Sequence, residues 1–530
     1  MKKIVCNPRR PSRFWVTLLD QTQLKLPEVI AALSLATDLA NDNPPETTLR
    51  ICYIALEIAR EAGLRPRELE DLYYGALLRF IGCTAYAHEE AVAMGDDVAA
   101  RHSLARVDVS RPSRVLGTAL RSSKGKSKPA VLWNFLTQSG TMFSNFTAAN
   151  CEVACMLGQK IGMPEGVLRV LEQIHERWDG KGGPSRVRGN ALLASVRILH
   201  VANTAEIIRQ AAGTDAACAV IQDRSGEQFD PDVCKGFLRI GRDLLHSMET
   251  VSVWDEVIRR APRSESSPGG ARLRKIAEAF GSFVDLKSVY TAGRSLNISN
   301  TVERAAQWMG LKDTEDLVIA SLLADIGMVS VPTNLLEKKG KLNPSEWERV
   351  RLHTYYTERI LTRSPVLARI APIAGAHHER LDASGYHRGS SGPSIPQGGK
   401  LLAAADLYHA LLERRSYRAP VAPSSAAQML REEVARGRID RTCADAVLAV
   451  TNHTAISSSP GAESTSTLSP RECEVLTLLA SGFSNKEIGA KLNISHRTVQ
   501  HHVEHIYGKI SVSTRAAATL YAVQNGFLRA

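Results

Sequence analysis

Apolar residues recur along this chain with the period of a helix almost from end to end. From Leu26 to about Asp255, stretches such as LPEVIAALSLATDLAND and TLRICYIALEIAREAGL return an apolar side chain every three or four positions, and strand-like alternation is rare. The pattern breaks at residues 110–128, rich in Arg, Lys and Ser, which predicts an exposed insertion. It breaks again at RRAPRSESSPGGAR, residues 259–272, a linker by composition. A second helical region runs to about Val450, and HTAISSSPGAESTST at 453–467 reads as a flexible tether. The last stretch, Leu468 to Leu528, reads as four helices. Ser469-Pro470-Arg471-Glu472 and Ser484-Asn485-Lys486-Glu487 are capping boxes that open the first two, and Gly482 is placed to end the first. Asn493-Ile494 turns the chain, Ser495 caps a third helix, and Ser513-Thr514-Arg515 starts a fourth. The expected architecture is all-α: a tail at 1–25, a helical domain at 26–258, a linker at 259–272, a second helical domain at 273–450, a Ser/Thr-rich linker at 451–467 and a four-helix module at 468–530.

The two large regions repeat each other. HERWDGKGGP at 175–184 answers HERLDASGYH at 378–387, and RILHVANTAEII at 197–208 answers KLLAAADLYHAL at 400–411 in the same register. Upstream, YGALLRFIG at 74–82 answers IASLLADIG at 319–327. The spacing between blocks is longer in the first copy, which places the Arg/Ser-rich insertion between them. An internal duplication accounts for all three matches.

Composition narrows the partners. A net charge of +11 favours an anionic one, and 5% aromatic residues leave little for stacking on single-stranded bases. The nine cysteines form no C-x-x-C pair, and no signal peptide is visible, so the thiols read as reduced and the chain as cytoplasmic. No run approaches the ~20 apolar residues that cross a bilayer, so no membrane partner is expected.

In the terminal module, two short helices joined by a tight turn, the second with a polar outer face, suit a DNA major groove. That face offers Arg497, Thr498, Gln500, His501, His502 and His505, while Lys486, Lys491, Lys509 and Arg515 flank the turn and can neutralise phosphates. The words LSPRECEVLTLLASGFSNKEIGAKLNISHRTVQHHVEHIYGKI and VSTR resemble the LuxR-type helix-turn-helix at nearly every fixed position. The resemblance implies that Lys486, Arg497, Thr498, Val499 and His502 face double-stranded DNA, and that the last helix, Thr514 to Gln524, pairs two subunits into a homodimer. Gln500 stands where that family usually has a lysine, which removes one phosphate contact.

The second copy gathers candidate metal ligands: Asp325, His353, the adjacent His377 and His378, and Asp406. Imidazoles and carboxylates drawn from several helices are what a di-iron or manganese phosphodiesterase needs; its metals bridge the phosphate and lower the pKa of water. VPTNLLEKKGKLNPSEWERVRLH, HHERLDASGYH and AAADLYHALLERRSYR resemble an HD-GYP domain, the phosphohydrolase type associated with cyclic-di-GMP hydrolysis. Against that family's pattern, Ala324 replaces the histidine beside Asp325, Arg294 replaces an earlier histidine, and Met328 replaces a lysine. His387 replaces the proline of the GYP triplet, and Ala383 a glycine before it. In the first copy Arg79, Phe80, Ile174 and Asn203 stand where Ala324, Asp325, His377 and Asp406 stand in the second, and only His175 survives.

These losses imply a degenerate body with no catalytic residue expected and no cofactor fixed by the sequence, Mn or Fe at the residual site being the candidates. Three outcomes remain open for the second copy: a competent metal-dependent phosphodiesterase of cyclic dinucleotides, histidines retained only for packing, or a metal or nucleotide held without turnover. The expectation is a DNA-binding transcriptional regulator whose HD-type body senses and controls, with a nucleotide ligand or a regulatory protein as its further partner.

Overall fold

The computed structural model describes residues 25–122, 127–262, 269–312, 314–452 and 468–528. These residues fold as helices and short 3-10 turns, with three isolated β-bridges and no named strand among them, so the all-α expectation holds. No helix among them is long and apolar enough to cross a membrane.

The first copy is built on α1 (Leu26–Ala40), α2 (Thr47–Glu61), α3 (Pro66–Leu78), α4 (Pro112–Ser122), the long α5 (Lys128–Ile161) and α6 (Ala194–Ala212). The second is built on α7 (Gly269–Asp285), α8 (Arg294–Trp308), α9 (Glu315–Leu323), α10 (Pro344–Leu361) and α11 (Gln397–Leu412). The terminal module holds α12 (Pro470–Ala480), α13 (Asn485–Leu492), α14 (His496–Ile510) and α15 (Arg515–Gln524). The sequence expected residues 110–128 to be an exposed insertion; instead 112–122 form α4. Val115 and Ala119 lie one turn apart on that helix, and Ala119 is buried. Residues 123–126 lie outside the described residues, as do the basic tail at 1–24 and the tether at 453–467.

The repeat extends to individual hydrogen bonds. Asp38 accepts from the Thr48 amide (2.9 Å) and hydroxyl (2.6 Å), and Asp285 accepts from the Ser295 amide (2.9 Å) and hydroxyl (2.8 Å). Each buried carboxylate thereby ties the first helix of its copy to the next one. A Cβ on Gly82 would lie 2.0 Å from the Asn150 carbonyl oxygen, and one on Gly327 would lie 2.1 Å from that of His353. Only glycine lets the backbone cross this closely, and the matching contacts make Asn150 the structural counterpart of His353.

The copies also exchange their leading helices. α1 packs on α10 and the 3-10 turn Ile326–Ser330 of the second copy, while α7 packs on α5 and the turn Cys83–Tyr86 of the first. One apolar core therefore runs through both, from Val29 and Ile54 to Phe280, Leu322 and Leu361. The module has its own core of Val475, Leu476, Leu479, Ile488, Val499 and Ile506.

Candidate functional site

The second copy brings its candidates together at the junction of five helices. Arg294 opens α8, Asp325 follows α9, His353 lies on α10, His377 and His378 follow the short helix Ala371–Ala374, and Asp406 sits on α11. One ligand atom from each of Asp325, His353, His377 and His378 falls within a 4.8 Å cluster. The backbone fixes which ring nitrogens point inward. His353 Nδ1 lies 2.5 Å from the Val350 carbonyl and His377 Nδ1 lies 2.6 Å from that of Ala374. A carbonyl only accepts, so both Nδ1 atoms carry hydrogen and both Nε2 atoms present lone pairs. Those two Nε2 atoms are 3.2 Å apart and lie 3.5 and 3.2 Å from Asp325 Oδ1, a buried oxygen with no hydrogen-bond partner. Three acceptors converging without a donor require a cation or a proton between them. Imidazoles oriented by Nδ1–H to backbone carbonyls are the arrangement in which histidine holds metal. The residues present therefore fit one metal ion, with Asp325, His353, His377 and His378 as its ligands.

Asp406, expected as a fifth ligand, lies outside that cluster, with Oδ2 3.7 Å from His378 Nδ1 and Oδ1 on Arg294. Its carboxylate lies 2.5 Å from Arg294, whose guanidinium also reaches Asp325 at 3.2 Å and Glu413 at 2.6 Å. Arg294 is 7% exposed, so one fixed cation bridges three carboxylates in a largely buried network, and Arg415 shares Glu413 at 2.6 Å. Glu413 carried no signal in the sequence beyond its place after AAADLYHALL. Tyr386, also unflagged, stacks on His378 with ring centroids 4.8 Å apart.

Burial and charge set the protonation states. Burial lowers His353 to about 4, with His377 adding to the effect, and burial with His377 and His353 lowers His378 well below its ordinary value. Burial opposes the charged forms of Asp325 and His377 too. The attraction between the carboxylate and a protonated His377 outweighs it, so the aspartate falls well below the ordinary carboxylate range, helped by Arg294, and the imidazole rises.

In the first copy, Arg79, Phe80, Asn150, Ile174, His175 and Asn203 line one cavity of about 580 Å³. Burial lowers His175 to about 3 and His200 to about 4, with Arg79 as the next cause in both.

The terminal module has the predicted caps: Ser469 with Glu472, Ser484 with Glu487, and the Ser495 hydroxyl accepting from the Thr498 amide at 3.0 Å. Asn493, at φ +54°, makes the turn between α13 and α14. Lys486, Arg497, Thr498, Gln500, His501 and His505 are exposed, and His502 is half-buried. Val499 departs from expectation: it is fully buried in the module's core, because 499, 503 and 506 form the inward stripe of α14. Lys509 reaches back to Glu472 at 2.7 Å and braces α14 against α12, and Gln500 donates to Glu504 at 3.1 Å.

The last helix, expected to pair subunits, packs on the body in this structure. Ala517 and Leu520 join the body's apolar core, and α15 lies along α5. Glu152 of α5 accepts from the Ser513 amide at 2.7 Å and the Thr514 hydroxyl at 2.8 Å. Arg414 of the second copy reaches Glu487 at 3.3 Å and covers the Phe483 ring at 4.5 Å.

Comparison with known proteins agrees with this geometry. The family model of the HD domain matches residues 108–233 and 269–443, together more than half of the chain, and that of bacterial regulatory proteins of the luxR family matches 466–522. The chain belongs to the HD domain family and carries a luxR-family helix-turn-helix at its C-terminal end. It is similar to 3'3'-cGAMP-specific phosphodiesterase 3 of Vibrio cholerae, 29% identical over 433 residues, which are 80% of this chain and 94% of the relative. It is also similar to a cyclic di-GMP phosphodiesterase of Thermotoga maritima, 41% identical over 121 residues, 22% of this chain and 33% of that protein. The crystal structure of a cyclic GMP-AMP specific phosphodiesterase of V. cholerae superposes with a TM-score of 0.56 at 25% identity, covering 81% of this chain and 97% of that one.

Proposed function

We propose that this protein is a DNA-binding transcriptional regulator whose duplicated HD body controls access to the helix-turn-helix. The observation that carries the reading is the seating of α15: the module turns its polar α14 face to solvent while its last helix is buried in the body core and held by Glu152. A body that covers the helix expected to pair two subunits holds the module in a single-copy state. Release would let two modules meet on two half-sites of duplex DNA. Arg497, Thr498, Gln500 and His502 would read base edges, and Lys486 would contact phosphate. Capture of bound DNA across the host genome tests the reading; recovery of no reproducible fragment overturns it.

The catalytic alternative has its own support in the four-residue cluster and the phosphodiesterase relatives. A manganese or iron ion held there would polarise a phosphate and acidify water. In that reading the chain's own residues divide the work. The Val350 and Ala374 carbonyls orient the two imidazoles, Tyr386 walls the His378 side, and Arg294 fixes Asp325 and Asp406. Arg294 takes Asp406 out of the cluster, so the site suits one ion better than a bridged pair. We therefore assign it to holding a metal or nucleotide rather than to rapid turnover. Purified protein with Mn²⁺ or Fe²⁺ and 3'3'-cGAMP decides the point: turnover abolished by His377→Ala makes the body an enzyme.

A further inference from the structure

The two copies each place an arginine in the pocket where their HD sites diverged, and the two arginines are treated in opposite ways. Arg294 has three carboxylates around it. Arg79 has none: its Nε and Nη1 atoms are buried without a hydrogen-bond partner, and its guanidinium carbon lies 4.7 Å from the centre of the Phe80 ring. A guanidinium with two nitrogens buried and unpaired and no counter-anion is an unfavourable group for a folded chain to hold. The other charged groups of the same wall are engaged. Glu90 pairs with Arg101, Arg177 reaches Asp108 at 2.7 Å and Asp179 at 2.8 Å, and Glu176 accepts from the Ser185 amide at 2.6 Å through one oxygen while its other oxygen is buried and unpaired. Arg224 donates to Gln228 at 3.1 Å.

Arg79 lines the cavity of about 580 Å³, within the ~300–1,000 Å³ range of small-molecule sites. Beside it, the Asn150 and Asn203 side-chain oxygens are also buried and unpaired; as acceptors they call for hydrogen-bond donors on the ligand next to its charged group. One part of the wall is apolar, with Met94, Leu104, Val115, Met142, Phe143 and Phe146 lining the same space. His175 and His200 add no second charge near neutral pH, because burial and Arg79 keep both rings neutral. One cation free of hydrogen-bond partners, two acceptor oxygens and an apolar chamber match a ligand with one negative charge, hydrogen-bond donors beside it and an apolar body.

We infer that the first HD copy is a binding site for an amphipathic organic monoanion, its acidic group seated on Arg79, a neighbouring N–H or O–H of the ligand donating to Asn150 and Asn203, and its apolar body in the chamber lined by α4 and α5. This assignment stands independently of DNA reading. It also places the ligand on α5, the helix whose Glu152 holds the terminal module.

The test uses the full-length protein with 1-anilinonaphthalene-8-sulfonate, a fluorescent monoanion of suitable shape, and N-phenyl-1-naphthylamine, its uncharged counterpart. Saturable sulfonate binding near one per chain is expected. Arg79→Met should weaken it about tenfold or more while changing the neutral probe's affinity by less than about twofold. Ala119→Phe, which fills the chamber, should weaken both. Circular dichroism and thermal melts confirm that each variant is folded; if Arg79→Met alone does not fold, the loss of both probes in Ala119→Phe carries the test. Absence of saturable sulfonate binding overturns the assignment, as does sulfonate affinity unchanged in folded Arg79→Met or in Ala119→Phe.

Discussion

Arg294 lies 2.5 Å from Asp406, so the carboxylate a two-metal centre would draw on is already neutralised by the protein itself. The same guanidinium holds Asp325 and Glu413 and is only 7% exposed. Arg294→Met would strand three acids around an apolar side chain. Loss of one partner from such a buried network costs about 3–5 kcal/mol. Urea denaturation of the full chain should show a loss of that size; a change below about 1 kcal/mol would mean the network contributes no net stability.

The geometry of His353, His377, His378 and Asp325 sets a stoichiometry. Protein loaded with Mn²⁺ and desalted should retain about one ion per chain rather than two. His377→Ala should lose it, because that substitution removes the imidazole nearest to Asp325, 3.2 Å away. Elemental analysis reads both, and two retained ions would show that Asp406 leaves Arg294 for a metal.

Glu472 gives the module a defined acid sensitivity. Hydrogen bonds from Lys509 and the Ser469 amide hold its carboxyl down to about 2, against an ordinary 4.5. A folded-state value below the unfolded one stabilises above the unfolded value, and the contribution is lost as pH falls from about 4.5 towards 2. Glu472→Gln should therefore lower the melting temperature at pH 7 and make little difference at pH 2. An equal effect at both would show that the carboxylate charge is not involved.

On the DNA face, Lys486→Ala should weaken binding to all sequences and reduce the slope of log affinity against log salt by about one. Thr498→Ala and Gln500→Ala should instead change which sequence is preferred, by about 1–3 kcal/mol at the affected base pair. Competition assays with substituted operators separate the two effects. A Lys486 change that alters sequence preference would contradict the docking.

Local chemistry was legible in the chain, and long-range pairing was not. Ser469, Ser484 and Ser495 announce three helix starts because a cap and its partner lie within three residues. The duplication was readable because HERWDG and HERLDA preserve their register. Arg294 was visible as a misfit, but its role depends on Glu413, 119 residues away, and no local pattern encodes that contact. Asn150 could not be matched to His353 without the crossing at Gly82, since the insertion shifts the register between the blocks. The LuxR resemblance implies that Val499 faces DNA, whereas its spacing to Val503 and Ile506 marks it as inward. Residues 112–122 were read as loop from their charge, although Val115 and Ala119 at helical spacing foreshadow the buried side of α4.

The central claim, that the body restrains a DNA-reading module through α15, is tested most directly by measuring the affinity of full-length protein for a captured genomic fragment, wild type beside Glu152→Ala. Losing the hydrogen bonds to Ser513 and Thr514 should free the module and tighten binding by about fivefold or more, with two chains per fragment. Equal affinity in the two proteins, or no binding by either in dilute buffer, would contradict the account.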